Sequence, residues 1–428
     1  MLDKLEKTII EKIDLLKDDL ISLTKDLVSI PTVNPPGENY EECIKFLNEK
    51  LKEFGAKTEV VEVPSEKLQE LAPHGKGLPR QSIISRIPFN EESEGIHLHF
   101  NGHYDVVPAT GEWKTNPFDP VIKNWKIYGR GTSDMKGGIA AMIIAAKALL
   151  NSNLDLNGML SLSFTPDEET DGFAGAGFIT KEGFIKADYC IVGEPSGCLN
   201  IWNAHKGALW LELTTFGKSA HGSTPWLGIN AFEKMVKIVN VIDKELKPLL
   251  KNKVSKFPTI PPEGNTATVM LGGIIKGGAA INIVPDRFTI SIDRRFIPEE
   301  SIDEVKAEIF NLLNKLRLQD PDLKFEVSIK AETNSCLTPL NSPICRVTSQ
   351  AIKDLIGKEP SITMCIGAMD MRYFSNIGIP TIAYGPGSIN VAHSENEYVS
   401  IEDLIMASKI YALTAVRILK NKGFKAKP

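Results

Sequence analysis

The sequence predicts an α/β fold into which a smaller α+β domain is inserted. Over most of the chain, short apolar strand patterns alternate with helical patterns, which is typical of α/β domains. Three predicted strands run directly into polar motifs, which begin near residues 102, 165 and 193. Between residues 206 and 330, alternating strands joined by two helices indicate one sheet with helices on one face. We therefore predict a first domain of residues 1–205 and 331–428, interrupted by a second domain of residues 206–330.

Length and charge limit the classes of function. At 428 residues the chain exceeds what one hydrophobic core usually holds, so two domains are expected. A hydrophobic content of 42% and a charged content of 24% are ordinary for a globular protein. Lys and Arg total 49 against 54 Asp and Glu, and the net charge of -5 offers no basic surface for nucleic acid or an anionic membrane. We expect neither as a partner.

The cellular compartment is predicted to be the cytoplasm. No apolar run reaches the length of a transmembrane helix, and the N-terminal segment is charged throughout, without a signal-peptide core. The six cysteines show no C-x-x-C spacing and lie among apolar neighbours, so buried free thiols are expected rather than disulfides or a zinc cluster.

The N-terminal elements read as two helices and a strand. Residues 5–30 have apolar side chains at helical spacing and predict one long amphipathic helix that Pro31 ends. A second helix follows at residues 40–54, and a strand at residues 58–63.

The next strand leads to the first candidate site residues. Ile96, Leu98 and Phe100 alternate with polar positions, which predicts a strand with one apolar face. His103 and Asp105 follow at its carboxyl end, where α/β sheets place their chemistry. A His-x-Asp pair in a loop is by itself more often a surface turn, and the alternative is a metal-ligating histidine oriented by an acid.

Two further strands also end in acidic residues. The strand at 159–164 runs into Glu168 and Glu169, and the strand at 189–192 runs into Glu194. Asp134 lies in a glycine-rich turn before an apolar helix at 139–150, where a helix cap is the simpler interpretation, although two glycines intervene. Independent surface turns would rarely coincide at three strand ends.

The remaining elements belong to the inserted domain and the C-terminal segment. The inserted domain contains a glycine-flanked turn with His221, a helix at 230–250 and another at 301–318. The α/β pattern then resumes with a helix at 343–356 and a strand at 380–384, and His393 follows as the last candidate ligand.

The donor types favour a transition metal centre. The candidates are His103, Asp134, Glu168, Glu169, Glu194 and His393. Two imidazoles with several carboxylates suit zinc, cobalt or manganese better than calcium or magnesium. Two divalent ions sharing a carboxylate are expected, because one ion would not neutralise so acidic a cluster. Adjacent Glu168 and Glu169 cannot easily point the same way, so one is expected to ligate and the other to act as general base.

Taken together, the motifs resemble those of the M20 family of co-catalytic metallopeptidases and deacylases, in order and over nearly the whole chain. The matching motifs are His103-x-Asp105, residues 131–138 around Asp134, Asp167-Glu168-Glu169, Gly193-Glu194-Pro195, His221-Gly222 and His393-Ser394-x-Asn396-Glu397. The resemblance implies a zinc-exopeptidase-like catalytic domain, with a mixed sheet flanked by helices, and an inserted lid and dimerisation domain.

The resemblance also implies a role for each site residue. One ion would be held by His103, Asp134 and Glu194, and a second by Asp134, Glu169 and His393, with Asp134 as the bridge and often a cis peptide after it. By the same resemblance Asp105 orients His103, Glu168 is the general base, and His221 stabilises the oxyanion, often in the active site of the partner subunit of a homodimer.

The substrate-binding residues are predicted from the same resemblance. Asn282 and Arg294 resemble lid positions that hold a substrate carboxylate, for which the forked guanidinium is suited. The alternative for Arg294 is an internal salt bridge to Asp293 or Asp286. Gly387 is a candidate backbone donor. The element Asp370-x-Arg372 departs in its flanks from the form found in desuccinylases.

The predicted function is hydrolysis of the amide bond of an N-acyl amino acid by metal-activated water, of the acetylornithine deacetylase or succinyl-diaminopimelate desuccinylase type. The alternative within the family is a metallo-carboxypeptidase or dipeptidase acting on a short peptide. A non-catalytic binding protein would be expected to lack a ligand or the base, and none is missing. A purely structural role predicts no metal.

Overall fold

The computed structural model describes residues 2–89, 95–152 and 156–420. The chain forms two compact units. The first comprises the described residues of Met1–Asn203, Thr338–Ile362 and Met369–Pro428, and the second comprises Ala204–Leu337 and Thr363–Ala368. The domain limits at residues 205/206 and 330/331, and the lid role of the inserted domain, stay predictions.

The helices of the described chain are α1 Lys4–Leu15, α2 Lys17–Ser29, α3 Tyr40–Glu53, α4 Leu68–Leu71, α5 Lys136–Leu150, α6 Ala176–Lys181, α7 Ala231–Val241, α8 Lys247–Lys251, α9 Ile302–Gln319, α10 Pro343–Ile356, α11 Met371–Asn376 and α12 Ile401–Lys420. The strands are β1 Lys57–Glu62, β2 Gln81–Pro88, β3 Ile96–His103, β4 Val121–Lys123, β5 Lys126–Tyr128, β6 Gly158–Thr165, β7 Tyr189–Val192, β8 Asn200–His205, β9 Gly207–Phe216, β10 Thr268–Gly277, β11 Arg287–Phe296, β12 Lys324–Thr333, β13 Cys336–Leu337, β14 Ser361–Cys365, β15 Thr381–Ala383 and β16 Tyr398–Ser400.

The first unit is built on a mixed sheet in the order β1-β2-β6-β3-β7-β15-β8. Strands β6, β3, β7 and β15 run parallel, whereas β1 and β2 pair antiparallel at one side and β8 pairs antiparallel with β15 at the other. Helices α1, α2, α5 and α12 pack together against this sheet or one another. The predicted α/β fold with a mixed sheet flanked by helices is confirmed.

The register of the parallel strands brings their carboxyl ends together. His103 lies opposite Thr165, and Asn101 lies opposite Val192. Each of β3, β6 and β7 therefore releases its following loop at the same edge of the sheet. The candidate residues at 103–105, 167–169 and 194 start from that edge because parallel strands end on one side.

Helix α5 approaches this edge through two glycines. A Cβ atom at Gly138 would lie 2.3 Å from the carbonyl oxygen of Gly193, and one at Gly137 would lie 2.4 Å from that of Thr132. Only glycine permits contacts this close. The start of α5, which follows Asp134, therefore meets the end of β7, which precedes Glu194, backbone against backbone.

The single long helix predicted for residues 5–30 is wrong, because the segment forms two helices that meet at Leu16. Ile9 and Ile13 of α1 are buried against α12, whereas Leu20 and Leu27 of α2 are buried where α2 packs on α5. Each helix buries its own apolar face, α1 mainly on α12 and α2 mainly on α5.

The second unit contains an antiparallel sheet in the order β10-β11-β9-β12. Helices α7 and α9 pack on it, and their apolar side chains form a core with alternate residues of β9 and β11. The predicted helix at 230–250 begins at the Asn230 cap but is divided into α7, a π-helical turn at Ile242–Leu246 and α8. No helix among the described residues is long and apolar enough to cross a membrane.

Candidate metal centre

His103 lies at the end of β3 and is buried. Its Nδ1 is 3.0 Å from the backbone carbonyl oxygen of Asp105 and 3.4 Å from the Oδ1 atom of the same residue. Its Nε2 is 3.1 Å from Asp134 Oδ1 and 3.9 Å from Glu194 Oε1. Because Nδ1–H donates to the carbonyl, Nε2 is the nitrogen that faces the carboxylates and is free to bind a metal.

Asp134 lies in the turn between β5 and α5, and the Asp134–Met135 peptide is cis. The buried carboxylate of Glu397 holds the backbone of this turn. Glu397 Oε1 accepts hydrogen bonds from the backbone N–H groups of Gly131, Ser133 and Asp134, at 3.1, 2.8 and 3.1 Å. Its Oε2 is 2.5 Å from Arg130 Nη1. The backbone of the turn is thus fixed, and the Asp134 side chain points away from Glu397 toward His103 and His393.

Glu168 and Glu169 lie in the turn after β6, and Asp105 holds that turn. Asp105 Oδ1 accepts the N–H of Glu168, and Oδ2 accepts that of Glu169, each at 3.2 Å. Asn34 Nδ2 also donates to Asp105 Oδ2, at 3.0 Å. The carboxylate of Asp105 therefore binds the acidic turn, while its carbonyl is the nearer acceptor for His103. The role of orienting His103 through the carboxylate stays a prediction.

A second buried ion pair supports the same turn. Arg80 Nε donates to Asp167 Oδ2 at 2.5 Å, and Arg80 Nη2 donates to the carbonyl of Pro36 at 2.7 Å. Asp167 Oδ1 also accepts hydrogen bonds from Tyr40 Oη and Asn34 Nδ2. Breaking a buried pair of this kind costs about 3–5 kcal/mol, so it holds the turn firmly.

Two groups of donor atoms at this edge are arranged to hold metal ions. The first is His103, Asp134 and Glu194, and the second is Asp134, Glu169 and His393. Within each group one ligand atom per residue lies within 4.8 Å of the others. His393 Nε2 is 3.3 Å from Asp134 Oδ2 and 2.9 Å from Glu169 Oε1. Asp134 belongs to both groups, whereas Glu168 belongs to neither.

Burial sets the protonation of the carboxylates in these groups. Burial and then the charge of Asp134 raise the pKa of Glu194 to about 8. Burial also raises the pKa of Glu169 to about 7, although the hydrogen bond with His393 acts to lower it. Burial and the charge of Glu194 hold the pKa of Glu168 well above its usual range. Hydrogen bonds to Asp134 and Glu169 raise the pKa of His393 to about 11.

The residues present fit a pair of divalent cations. Glu194 Oε1 is buried and has no hydrogen-bond partner among the described residues. Burying an acceptor without a donor is costly, and a cation held by the group would offset that cost. Imidazole nitrogens combined with carboxylate oxygens are the donors that zinc and its neighbours prefer.

Gly387 lies beside the turn that carries Asp134. Its φ is +87°, and a Cβ atom there would lie 2.3 Å from Ser133 Oγ. The adjacent Ser388 donates its N–H to Ser133 Oγ at 2.9 Å. The glycine turn therefore packs directly on the Asp134 turn, and a backbone-donor role for Gly387 stays a prediction.

His221 and Asn282 lie in the second unit, in two segments that pair with one another. Both residues are exposed, and Gly222 donates its N–H to the carbonyl of Asn282 at 2.7 Å. His221 Nδ1 accepts the N–H of Ser223 at 3.1 Å. A backbone N–H can only donate, so Nε2 of His221 carries the proton and is the free donor.

Arg294 forms an internal salt bridge, which is the alternative that the sequence left open, but its partners differ from the expected Asp293 and Asp286. It is fully buried in the second unit, where Nη2 is 2.6 Å from Glu300 Oε1 and 3.2 Å from Glu308 Oε2. The partners are therefore neither Asp293 nor Asp286, and the guanidinium is not accessible to a substrate. The next residue of the strand, Arg295, points to the opposite face, where it pairs with Asp293 and lies over Trp210.

Arg372 supports the acidic turn rather than facing solvent. It is buried, and its guanidinium donates to the carbonyl oxygens of Met369 and Asp171. Tyr373 also donates to Asp171. Asp370 is buried, and neither of its carboxylate oxygens has a hydrogen-bond partner among the described residues.

Sequence reasoning missed the residues that hold the ligand turns. These are Asn34, Arg80, Arg130 and, in its supporting role, Glu397, together with Asp105 as an acceptor for the acidic turn. The sequence signal was present for two of them, since Arg130 lies inside the glycine-rich turn and Glu397 ends the last motif.

Comparison with known proteins identifies the family of the chain. Residues 99–417 match the sequence profile of peptidase family M20/M25/M40. The chain belongs to this family. A succinyl-diaminopimelate desuccinylase of Nitrosospira multiformis is 33% identical over 77% of this chain and 85% of its own length. An N-formyl-4-amino-5-aminomethyl-2-methylpyrimidine deformylase of Bacillus subtilis is 29% identical over 94% of each chain.

A solved M20 structure has the same fold. The M20 metallo-carboxypeptidase of Sulfolobus solfataricus superposes with a TM-score of 0.70 at 25% identity, over 92% of this chain and 98% of that one. The predictions of the M20 family and of a metal-dependent amidohydrolase are confirmed. The identity of the metal stays a prediction.

Metal binding to the metal-free protein is expected to release protons and to strengthen as pH rises between about 6 and 8. Glu169, with a pKa of about 7, holds a proton in the lower half of this range, Glu194, with a pKa of about 8, holds one over most of it, and His393, with a pKa of about 11, holds one throughout. Each of these groups must lose its proton to bind an ion. Calorimetric titration with Zn²⁺ in buffers of different ionisation enthalpy measures both effects. Glu194→Gln should release fewer protons, and an affinity independent of pH would contradict the prediction.

Proposed function

We propose that the protein hydrolyses the amide bond of an N-acyl amino acid, in the manner of acetylornithine deacetylase or succinyl-diaminopimelate desuccinylase. The observation that carries the proposal is the pair of ligand groups sharing Asp134, with the Glu168 carboxylate next to them but outside both. Two ions with a separate carboxylate base are what amide hydrolysis by activated water requires.

The charge balance supports two divalent ions. Eight carboxylates lie at this edge of the sheet, and most of them are buried: Asp105, Asp134, Asp167, Glu168, Glu169, Glu194, Asp370 and Glu397. Among the described residues, Arg80, Arg130, Lys136 and Arg372 supply four positive charges around them. If all eight carboxylates are ionised and both histidines are neutral, as metal binding requires of the ligands, four negative charges remain, which two divalent ions would neutralise. We propose zinc, with cobalt or manganese as alternatives, because the donors are nitrogen and oxygen.

Bound ions of this kind supply Lewis acidity, which polarises the substrate carbonyl and makes water a nucleophile at neutral pH. The chain supplies the proton transfers. Glu168 takes the proton of the attacking water and passes it to the leaving amine. Burial and the charge of Glu194 raise the pKa of Glu168, and a carboxylate with a raised pKa is the stronger base toward water.

His221 is proposed to stabilise the oxyanion. Its exposed Nε2–H is free to donate, because Nδ1 is occupied by the N–H of Ser223. Asn282, whose carbonyl accepts the N–H of Gly222, and the backbone at Gly387 are proposed to bind substrate. Arg295 replaces Arg294 as the proposed partner of a substrate carboxylate, because its side chain lies on the face of the sheet opposite the buried Arg294.

The relatives favour deacylation over peptide hydrolysis. The succinyl-diaminopimelate desuccinylase and the N-formyl aminopyrimidine deformylase both bear names that describe removal of an acyl group from nitrogen. The metallo-carboxypeptidase supports the second candidate, which is release of an amino acid from a short peptide.

Six free cysteines accord with the proposed cytoplasmic location.

A substrate panel tests the proposed function. The protein loaded with Zn²⁺, Co²⁺ or Mn²⁺ should hydrolyse N-acetyl-ornithine or N-succinyl-diaminopimelate with a higher kcat/KM than dipeptides or peptides with a free C-terminus. The release of primary amine measures all of them in one assay. A preference for peptides would support the carboxypeptidase candidate, and activity unaffected by metal removal would contradict the proposal.

The neighbouring glutamates are expected to separate base from ligand. Glu168→Gln should lower kcat by about 10²–10⁴-fold and leave the metal content unchanged, because only the base is lost. Glu169→Gln should deplete the ion that its group shares with His393. Elemental analysis and kinetics on the same preparations measure both results. If the two variants exchange these behaviours, the assignment within the pair is wrong.

The homodimer and the role of His221 are tested together. His221→Ala should lower kcat by about 10²–10³-fold, the usual effect of losing one oxyanion donor, with normal metal content. If His221 acts in the partner subunit, mixed dimers of His221→Ala and Glu168→Gln chains should regain activity, since one site then holds both residues. An inactive mixture, with subunit exchange verified, would exclude action across the dimer, and an unchanged kcat would remove His221 from the mechanism.

A further inference from the structure

The ion pair between Arg130 and Glu397 joins segments that are far apart in sequence. Both side chains are buried, with exposures of 1% and 0%, and Arg130 Nη1 is 2.5 Å from Glu397 Oε2. Burying two charges is costly, and apolar side chains would often give equal or greater stability. This ion pair is therefore better explained by the segments that it holds in place than by its contribution to stability.

Glu397 holds the turn that carries Asp134. Its Oε1 accepts the N–H groups of Gly131, Ser133 and Asp134 itself. Three donors converging on one oxygen leave the turn little freedom to shift. The backbone from which the shared ligand extends is thus fixed by a side chain that lies outside both ligand groups.

Arg130 holds the segments that carry the two histidines. Its Nη2 donates to the carbonyl of His393 at 3.3 Å, and it lies 3.5 Å from the carbonyl of Pro108 in the loop that follows His103. His393 has a φ of +60° and a half-exposed side chain, so its own packing does little to restrain it. One guanidinium therefore contacts the Glu397 carboxylate and the His393 backbone at the same time.

We propose that Arg130 and Glu397 are positioning residues that fix Asp134 and His393 relative to one another and so assemble the second ligand group. This inference rests on the proposed metal-binding function. The fork of the guanidinium is essential to it, because one arm pairs with Glu397 while the other reaches His393. The first group shares Asp134 but lacks His393, so it loses only the support of the Asp134 turn and the weak Pro108 contact when Arg130 is removed, and we expect a smaller effect on it.

Titration of the metal-free protein with Co²⁺, followed by visible absorption and elemental analysis, tests the proposal. Arg130→Met should weaken binding of the second ion by about 10–100-fold, the usual cost of losing a residue that supports a metal ligand, while the first ion changes much less. His393→Ala, which removes a ligand of the second group alone, gives the reference titration.

Arg130→Lys separates positioning from charge. A lysine ammonium can neutralise Glu397 but has no second arm for the His393 carbonyl. We expect Arg130→Lys to regain most of the thermal stability that Arg130→Met loses, yet to bind the second ion as weakly as Arg130→Met. If Arg130→Met does not fold, the second ion of Arg130→Lys alone decides the question.

Arg417→Met is the matched control. Arg417 pairs with Glu6 and Asp354 between helices of the same unit and contacts no ligand turn. It should lower the melting temperature and leave both ions bound with unchanged affinity. The inference, but not the proposed function, would be overturned if the Arg130 variants bound the second ion as tightly as the unaltered protein. Full recovery of that affinity in Arg130→Lys would overturn it as well. An unaltered protein that binds no Co²⁺ would overturn the proposed function and this inference with it.

Discussion

Negative charge crowded at one edge of the sheet is the constraint on which the first unit depends. Carboxylates that face one another in a buried place repel strongly, and each would shed its charge unless cations or hydrogen-bond donors compensate it. The chain meets this constraint with separate arrangements for separate acids. Asp167 and Glu397 are paired with arginines, and Asp105 accepts backbone N–H groups. Glu194 lies with His103 and Asp134, and Glu169 lies with His393 and Asp134, in the two candidate ligand groups.

The supporting residues form two similar arrangements around the centre. On one side Arg80 pairs with Asp167, and the neighbouring Asp105 accepts the amides of Glu168 and Glu169 in the acidic turn. On the other side Arg130 pairs with Glu397, which accepts the amides of the Asp134 turn. In each case a buried acid fixes the main chain and an arginine compensates the acid. The candidate ligands therefore extend from backbone that hydrogen bonds already hold in place, an arrangement that would reduce the entropy lost if ions bind.

The sequence identified the residues that cluster at the candidate site but not most of the residues that support them, because the supporting contacts join distant parts of the chain. Candidate ligands such as His103 and Glu194 lie at or just beyond strand ends, and alternation of apolar residues is a local signal that identifies a strand end. Arg130 and Glu397 are 267 residues apart, and Arg80 and Asp167 are 87 apart, so no local pattern connects them. The burial of Arg294 depends on which face of β11 it occupies, which only the pairing register decides. Helix α12, to which the sequence analysis assigned nothing, is buried on nearly every side and lacks the polar stripe that identifies a surface helix.

The two glycines at the start of α5 have a consequence for how such a centre tolerates change over evolution. With no side chain between them, the helix start and the end of β7 touch through main-chain atoms, and the spacing between Asp134 and Glu194 is transmitted through that contact. Core side chains remote from this contact can be exchanged and repacked with little effect on the spacing, whereas Met135 and Met142 lie directly beside it. Sequences with little identity outside the motifs can then keep the same centre, whereas a methyl group added at Gly138 would separate the two segments that carry it.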